Sequence, residues 1–384
     1  MQTLNKFKFE SLVLCFVLLI YPLFIRDTLF SLKIQYILNF FFILLAVYGI
    51  VRFNLRLTKS GKALLLFSTW MFVVLIIGYL TNFQEQNNEL KVPPFFAINT
   101  DGELADNYFN QGEIYINVMY IGRMIIFIPL AFFLGTSFKN VENEFISKII
   151  WLFLICSFLS VSYDFFISGN VRSSGLYQNP QDMSAIVLFY SCLYMIVSKG
   201  KQTLFLILFL LLSFVTIIMT GTRSSLLVFI ILTLLQRKPK LLFLLSLLLT
   251  IIISLFLPYY FSIINNIQIT SMSSTIVRLK LWGEYLIPRI AENFILGVGT
   301  VPVVTENLLL FLLFVFGFIG VFLFIIFIYR LIKYSTKRKD ITLIISVIIL
   351  QSIYFMGLLS LDNIVVTFFV LGLISGCNIK LNNE

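Results

Sequence analysis

The chain has 384 residues, 59% of them hydrophobic and only 12% charged, with a formal net charge of +10. Soluble domains carry about 25% charged residues, so this composition excludes an ordinary soluble protein and predicts an all-α polytopic membrane protein. The positive balance does not by itself imply nucleic acid, because Lys and Arg crowd the cytoplasmic loops of membrane proteins. Histidine is absent, which removes the commonest acid–base group and metal ligand. Cys15, Cys156, Cys192 and Cys377 fall in or at the ends of apolar runs and show no disulfide or zinc spacing.

In chain order, the first apolar run, Leu12 to Ile25, follows Lys6 and Lys8 as a signal sequence would. It lacks a small-x-small cleavage site, which predicts a retained first span. A helix needs about 17–25 apolar residues to cross a bilayer. Twelve spans are expected at roughly 10–25, 34–51, 63–80, 114–134, 146–167, 183–198, 203–219, 224–236, 240–257, 306–332, 341–359 and 361–377, within a single membrane domain covering 1–384. With the N-terminus inside, nineteen of the 28 Lys and Arg fall on inner segments. Eight fall outside: Arg26, Lys33, Lys91, Arg172, Arg223, Arg278, Lys280 and Arg289; Arg123 lies within the fourth span. This bias predicts both termini on the cytoplasmic side.

The first sizeable outer loop, 81–113, carries Glu85, Glu89, Asp101, Glu103, Asp106 and Glu113 against Lys91 alone, and reads as a solvated acidic cap or as a lid. Arg123, in Tyr120-Ile-Gly-Arg-Met, is either a functional intramembrane cation or a residue snorkelling to the outer headgroups. The next outer loop contains Arg172, Gly175 and then Asn179-Pro180, a favourable N-cap and first-turn pair for the sixth span. The tight turn Thr220-Gly221-Thr222-Arg223-Ser224-Ser225 precedes the eighth span, with hydroxyls placed to cap it. An outward helix start beside an arginine is an anion site by charge and by its free N–H groups.

The last long outer loop, 258–305, is too polar for lipid. At about 100° per residue, Arg278, Trp282, Tyr285 and Arg289 share one stripe, with Leu279, Leu286 and Ile290 beside it. That pattern reads as two cations between two aromatic rings on an interfacial helix, or as headgroup anchoring alone.

Taken in order, Arg172-x-x-Gly175-x-x-x-Asn179-Pro180, the Thr220–Ser225 turn, Arg278 with Trp282, Leu296-Gly-Val-Gly-Thr300, Glu306-Asn307 and Phe316-Gly-Phe-Ile-Gly320 resemble the motifs of the O-antigen polymerase and O-antigen ligase superfamily. The motifs cover about Arg172 to Gly320. Asn293 stands where that family often has Pro before the Leu-Gly-x-Gly piece. Glu306 stands where ligases carry histidine, which favours the polymerase branch.

The resemblance implies a glycosyltransferase joining undecaprenyl-pyrophosphate-linked oligosaccharide repeats on the outer face of a bacterial plasma membrane. A chain-length regulator and a flippase in the same membrane are the protein partners it implies, and nucleic acid is not expected. The lipid pyrophosphate is already an activated leaving group, and the sequence has neither a phosphate-binding glycine loop nor an Asp-x-Asp pair, so no cofactor and no metal are expected. Arg223 and Arg278 would carry the developing charge, with Arg172, Arg289, Arg123, Asn179, Trp282 and Tyr285 binding substrate. A carboxylate would accept the proton of the acceptor hydroxyl, Glu306 first among Asp182, Glu284, Glu292, Glu306 and Asp362. The alternatives are a ligase of the same superfamily, a lipid-linked oligosaccharide flippase and a non-catalytic scaffold. A flippase should show charges deep in several spans and related halves.

Overall fold

The computed structural model describes residues 2–24, 28–29, 32–52, 57–85, 113–138, 141–170, 172–177, 179–198, 203–258, 279, 282–299, 307–353, 358–359 and 363–376. Helix dominates them. Helix α1 runs Gln2–Cys15 and continues through a π-turn, Phe16–Ile20, into Tyr21–Phe24. A two-residue antiparallel pair, Thr28–Leu29 with Leu32–Lys33, joins it to α2 (Ile34–Arg52). Then follow α3 (Lys59–Glu85), α4 (Glu113–Ser137), α5 (Asn143–Phe166), α6 (Pro180–Val197), α7 (Thr203–Met219) and α8 (Arg223–Leu235). Helix α9 (Pro239–Ile251) passes into a π-turn, Ile252–Phe256. A further π-turn, Trp282–Leu286, leads into the short α10 (Ile287–Glu292). The chain closes with α11 (Leu308–Tyr334), α12 (Arg338–Gln351) and α13 (Ile364–Gly376).

Six of these helices are long and apolar enough to cross a membrane. They belong to an all-α membrane protein: helices alone keep every backbone group paired within one apolar segment. Burial sorts them into centre and rim. In Pro180–Val197, 89% of residues are buried, against 22% in Pro239–Phe256. Helices α12 and α13 are buried nearly throughout, like α6. Helix α2 instead turns Tyr36, Phe40, Leu44, Val47 and Val51 outward along one stripe. A helix apolar all round is a central or lipid-facing element, and here both kinds occur.

Close packing at the centre depends on small residues. Helix α13 lies along α4, and a Cβ at Gly135 or Gly372 would collide with the backbone of the facing helix. Small residues let two membrane helices approach to backbone contact.

Helix α11 contains a break. Gly317 has φ 64° and ψ −172°, a conformation open essentially to glycine alone. Residues 294–299 lie against the break and take up its backbone groups. Val298 N donates to Phe314 O (2.7 Å) and Gly299 N to Val315 O (3.0 Å), while Phe318 N donates to Phe294 O (2.7 Å). Trp70 of α3 donates its indole N–H to Phe316 O (2.9 Å). The two glycine motifs of the sequence, around Gly297 and Gly317, are thus two sides of one contact. A Cβ on Gly297 would sit 2.5 Å from Gly317 N, and one on Gly299 would sit 2.7 Å from the Cα of Gly78.

Candidate functional site

The loop before α6 is held from below by Asp164, near the end of α5. Its carboxylate accepts from Ser174 N (2.8 Å), Gly175 N (3.4 Å) and the side-chain amide of Asn170. Gly175 has φ +57°, and a Cβ there would stand 2.8 Å from Ser160 Oγ, so this position of the motif has a steric reason. Asn179 caps α6 through Gln181 N (2.9 Å), with Pro180 opening the helix. Asp182 follows in the first turn, 2% exposed. A carboxylate there is favoured by the positive end of the helix.

The Arg223 turn lies next to this loop. Ser173 N donates to Met219 O (3.2 Å), which ties the Arg172 segment to the end of α7, just before Thr220. Arg172 and Arg223 are both exposed. The hydroxyls expected to cap α8 do otherwise. Thr222 is the N-cap residue but makes no side-chain bond to the helix, and its Oγ1 pairs with Thr220 Oγ1 (2.8 Å). Ser225 bonds Ser184 Oγ of α6 (2.7 Å) and accepts from Gln351 Nε2 of α12 (2.9 Å).

Asn307 opens α11, fully buried. It accepts from Leu310 N (3.0 Å) and donates to Ile353 O (2.7 Å) and Ser254 Oγ (2.8 Å). Ser254 lies in the π-turn at the end of α9, and Leu308 N donates to Ser352 O (2.9 Å) at the end of α12. Tyr177 OH donates to Asn363 Oδ1 (3.2 Å), and Asn363 Nδ2 reaches Asp182 O (3.4 Å). One continuous polar seam therefore runs through the starts of α6, α8, α11 and α13 and the ends of α9 and α12. Four helix N-termini face one end of the bundle, each carrying partial positive charge, with Arg172 and Arg223 exposed beside them. Such an end is suited to an anionic ligand.

The seam residues Ser184, Ser254, Gln351 and Asn363 stand in no sequence motif, and Ser225 reads from sequence only as a helix cap. Their signal was present: polar side chains in apolar runs are costly unless they hydrogen-bond across helices. Gln351 Oε1 is buried without a hydrogen-bond partner among the described residues.

The remaining sequence candidates are placed elsewhere or not described. Arg123 is half-buried on α4, its guanidinium 5.9 Å from the ring centre of Tyr36 on α2, a cation–π arrangement. Arg289 is half-buried on α10. Trp282 does not stand in an exposed stripe: it is 1% exposed and buried with Leu279, Leu286 and Ile290. At about 100° per residue Trp282 lies only about 40° from Leu286, on the edge of the stripe nearest the apolar residues, and it packs with them. Glu292 is exposed at the end of α10. Arg278, Glu306, Asp362 and residues 86–112 of the acidic loop lie outside the described residues, as do the side chains of Tyr285 and Glu284. Among the described residues no three His, Cys, Asp or Glu side chains are grouped as a metal site requires.

No family model and no curated protein matches the chain.

Proposed function

We propose that the chain is a bacterial surface-polysaccharide polymerase, a glycosyltransferase that joins undecaprenyl-pyrophosphate-linked oligosaccharide repeats on the outer face of the plasma membrane. The reading takes the chain as twelve spans with both termini cytoplasmic, so that the polar seam and the Arg172 and Arg223 turns face outward. Arg223 and Arg278 stabilise the departing pyrophosphate, and arginine serves this better than lysine because its planar fork makes two hydrogen bonds at once. Arg172, Arg289, Arg123, Asn179 and Tyr285 are assigned to binding the substrate. Glu306 accepts the proton of the attacking hydroxyl, a role that contributes about 10²–10⁴-fold in rate. The reaction uses no cofactor and no divalent metal.

The observation that carries the reading is the hydrogen bond from Ser173 of the Arg172 loop to Met219 at the end of α7, one residue before the Arg223 turn, at the end where four helix starts converge. The resemblance of the ordered motifs supplies the substrate class.

The surface polysaccharide of a deletion strain tests it. Single repeats on each lipid are expected. Long unattached chains would identify a ligase, and repeats trapped inside the cell would identify a flippase. Complementation with Glu306→Gln should leave single repeats at normal protein abundance; wild-type polymer from that variant would exclude Glu306 as the base and shift the role to Asp182 or Asp362.

A further inference from the structure

We propose that a groove between α9, α11 and α12 binds an anionic phospholipid of the leaflet opposite the polar seam. The groove encloses about 940 Å³. Four cations line it, and all four belong to one end: Lys240 in the first turn of α9, Lys333 in the last turn of α11, and Arg338 and Lys339 in the first turn of α12. Beyond them the walls are chiefly aliphatic and aromatic, with Leu244, Leu247, Phe324 and Ile328 along the length. Leu244 is 63% exposed and Leu247 38% exposed, so these side chains offer apolar surface.

Three features favour a lipid with an anionic headgroup over bulk hydrocarbon. First, the helices add to the charge at the same end. Helices α9 and α12 both begin there, and neither N-cap residue, Lys238 nor Lys337, caps its helix by a side-chain bond. Two helix N-termini and four cations make one anion-attracting corner. Second, one of the cations, Lys333, is held at the mouth. Lys333 Nζ donates to Tyr329 OH (3.1 Å) and lies 5.3 Å and 5.7 Å from the ring centres of Tyr329 and Tyr334. Asp340 is the nearby acidic group on α12, and its carboxylate-bearing residue is buried, whereas Lys240, Lys333, Arg338 and Lys339 are exposed. Third, the length fits. The α9 wall from Pro239 to Ile251 rises about 18 Å at about 1.5 Å per residue. Half of a hydrocarbon core of about 30 Å is one leaflet. The groove therefore takes the acyl chains of a lipid whose phosphate sits among the four cations.

The occupant is a glycerophospholipid and not the polyprenyl-linked glycan. The cations lie at the ends of helices α9, α11 and α12 remote from Ser254, Asn307 and Gln351, so a lipid seated here has its head at the wrong end of the bundle for the seam. The inference requires only that the chain sits in a membrane and does not depend on glycosyl transfer.

Native mass spectrometry of the full-length protein in detergent, titrated with phosphatidylglycerol or phosphatidylcholine, tests it. Wild-type protein should retain phosphatidylglycerol in preference to phosphatidylcholine. The triple variant Lys240→Gln, Arg338→Gln, Lys339→Gln should lose about a hundredfold in affinity for phosphatidylglycerol, each cation contributing a factor of about five. Leu244→Trp, which fills the groove and leaves every cation in place, should lose phosphatidylglycerol as well, and this single variant carries the test if the triple variant does not fold. Equal retention of the two lipids by wild type would overturn the proposal. So would unchanged phosphatidylglycerol binding in Leu244→Trp or in a folded triple variant. Displacement of phosphatidylglycerol by an equimolar polyprenyl phosphate, or a second copy of the chain bound in its place, would overturn the assigned occupant.

Discussion

Gly317→Ala is the sharpest perturbation of the fold. At φ 64° and ψ −172° an alanine is strained by about 1–3 kcal/mol. Its Cβ would also sit 2.5 Å from Gly297 N and Leu296 C. Relieving that clash separates the two segments and weakens Val298 N to Phe314 O and Phe318 N to Phe294 O, both 2.7 Å. Each such bond contributes about 0.5–1.5 kcal/mol net. The expected loss is about 2–6 kcal/mol, a large part of a folded stability of about 5–15 kcal/mol. The assay is thermal unfolding of purified protein in detergent, followed by tryptophan emission. Trp70 reports directly, because its indole donates to Phe316 O beside the break. Gly122→Ala is the control: it lies within α4 with nothing within 4 Å of its Cβ position, and should be neutral or stabilising by up to about 1 kcal/mol. A Gly317→Ala protein that melts with the wild type would refute the account of the break.

Three further outcomes are expected. Asn307→Ala removes the cap of α11 and leaves the buried Ile353 carbonyl without its donor, so the unfolding midpoint should fall by an amount equivalent to about 1.5–5 kcal/mol. Arg223→Lys keeps the charge and loses the two-pronged donor, so polymer length in a complemented deletion strain should collapse while protein abundance holds; long polymer would remove Arg223 from the site. Reporter fusions at Lys339 and Asn266 should give opposite sides of the membrane, and the same side for both would sink the twelve-span topology.

Much of the helical framework was written in the apolar runs. The short run at 224–236 forms α8, Arg223–Leu235, within a residue of the expected limits. Local chemistry was equally readable where it stays local, as in Asn179 capping α6 two residues before Gln181. What the sequence hides is pairing at a distance. Ser225 and Gln351 are 126 residues apart, and Tyr177 and Asn363 are 186 apart. Nothing in the periodicity of either helix names the partner. The glycines of the two motifs were visible in the sequence, but their physical reason is a backbone contact between segments that only the fold brings together. Trp282 packs with Leu279, Leu286 and Ile290, whose face lies beside it on the helical wheel.

The break in α11 also bears on the order in which the protein is made. Residues 294–299 leave the ribosome before α11, and they pair with positions sixteen to twenty-four residues later. The partner of the interrupted span is therefore already present when that span emerges, and the two form one local unit. Only afterwards need this preassembled corner dock on Gly78 and Trp70 of α3, a helix synthesised more than two hundred residues earlier and already waiting.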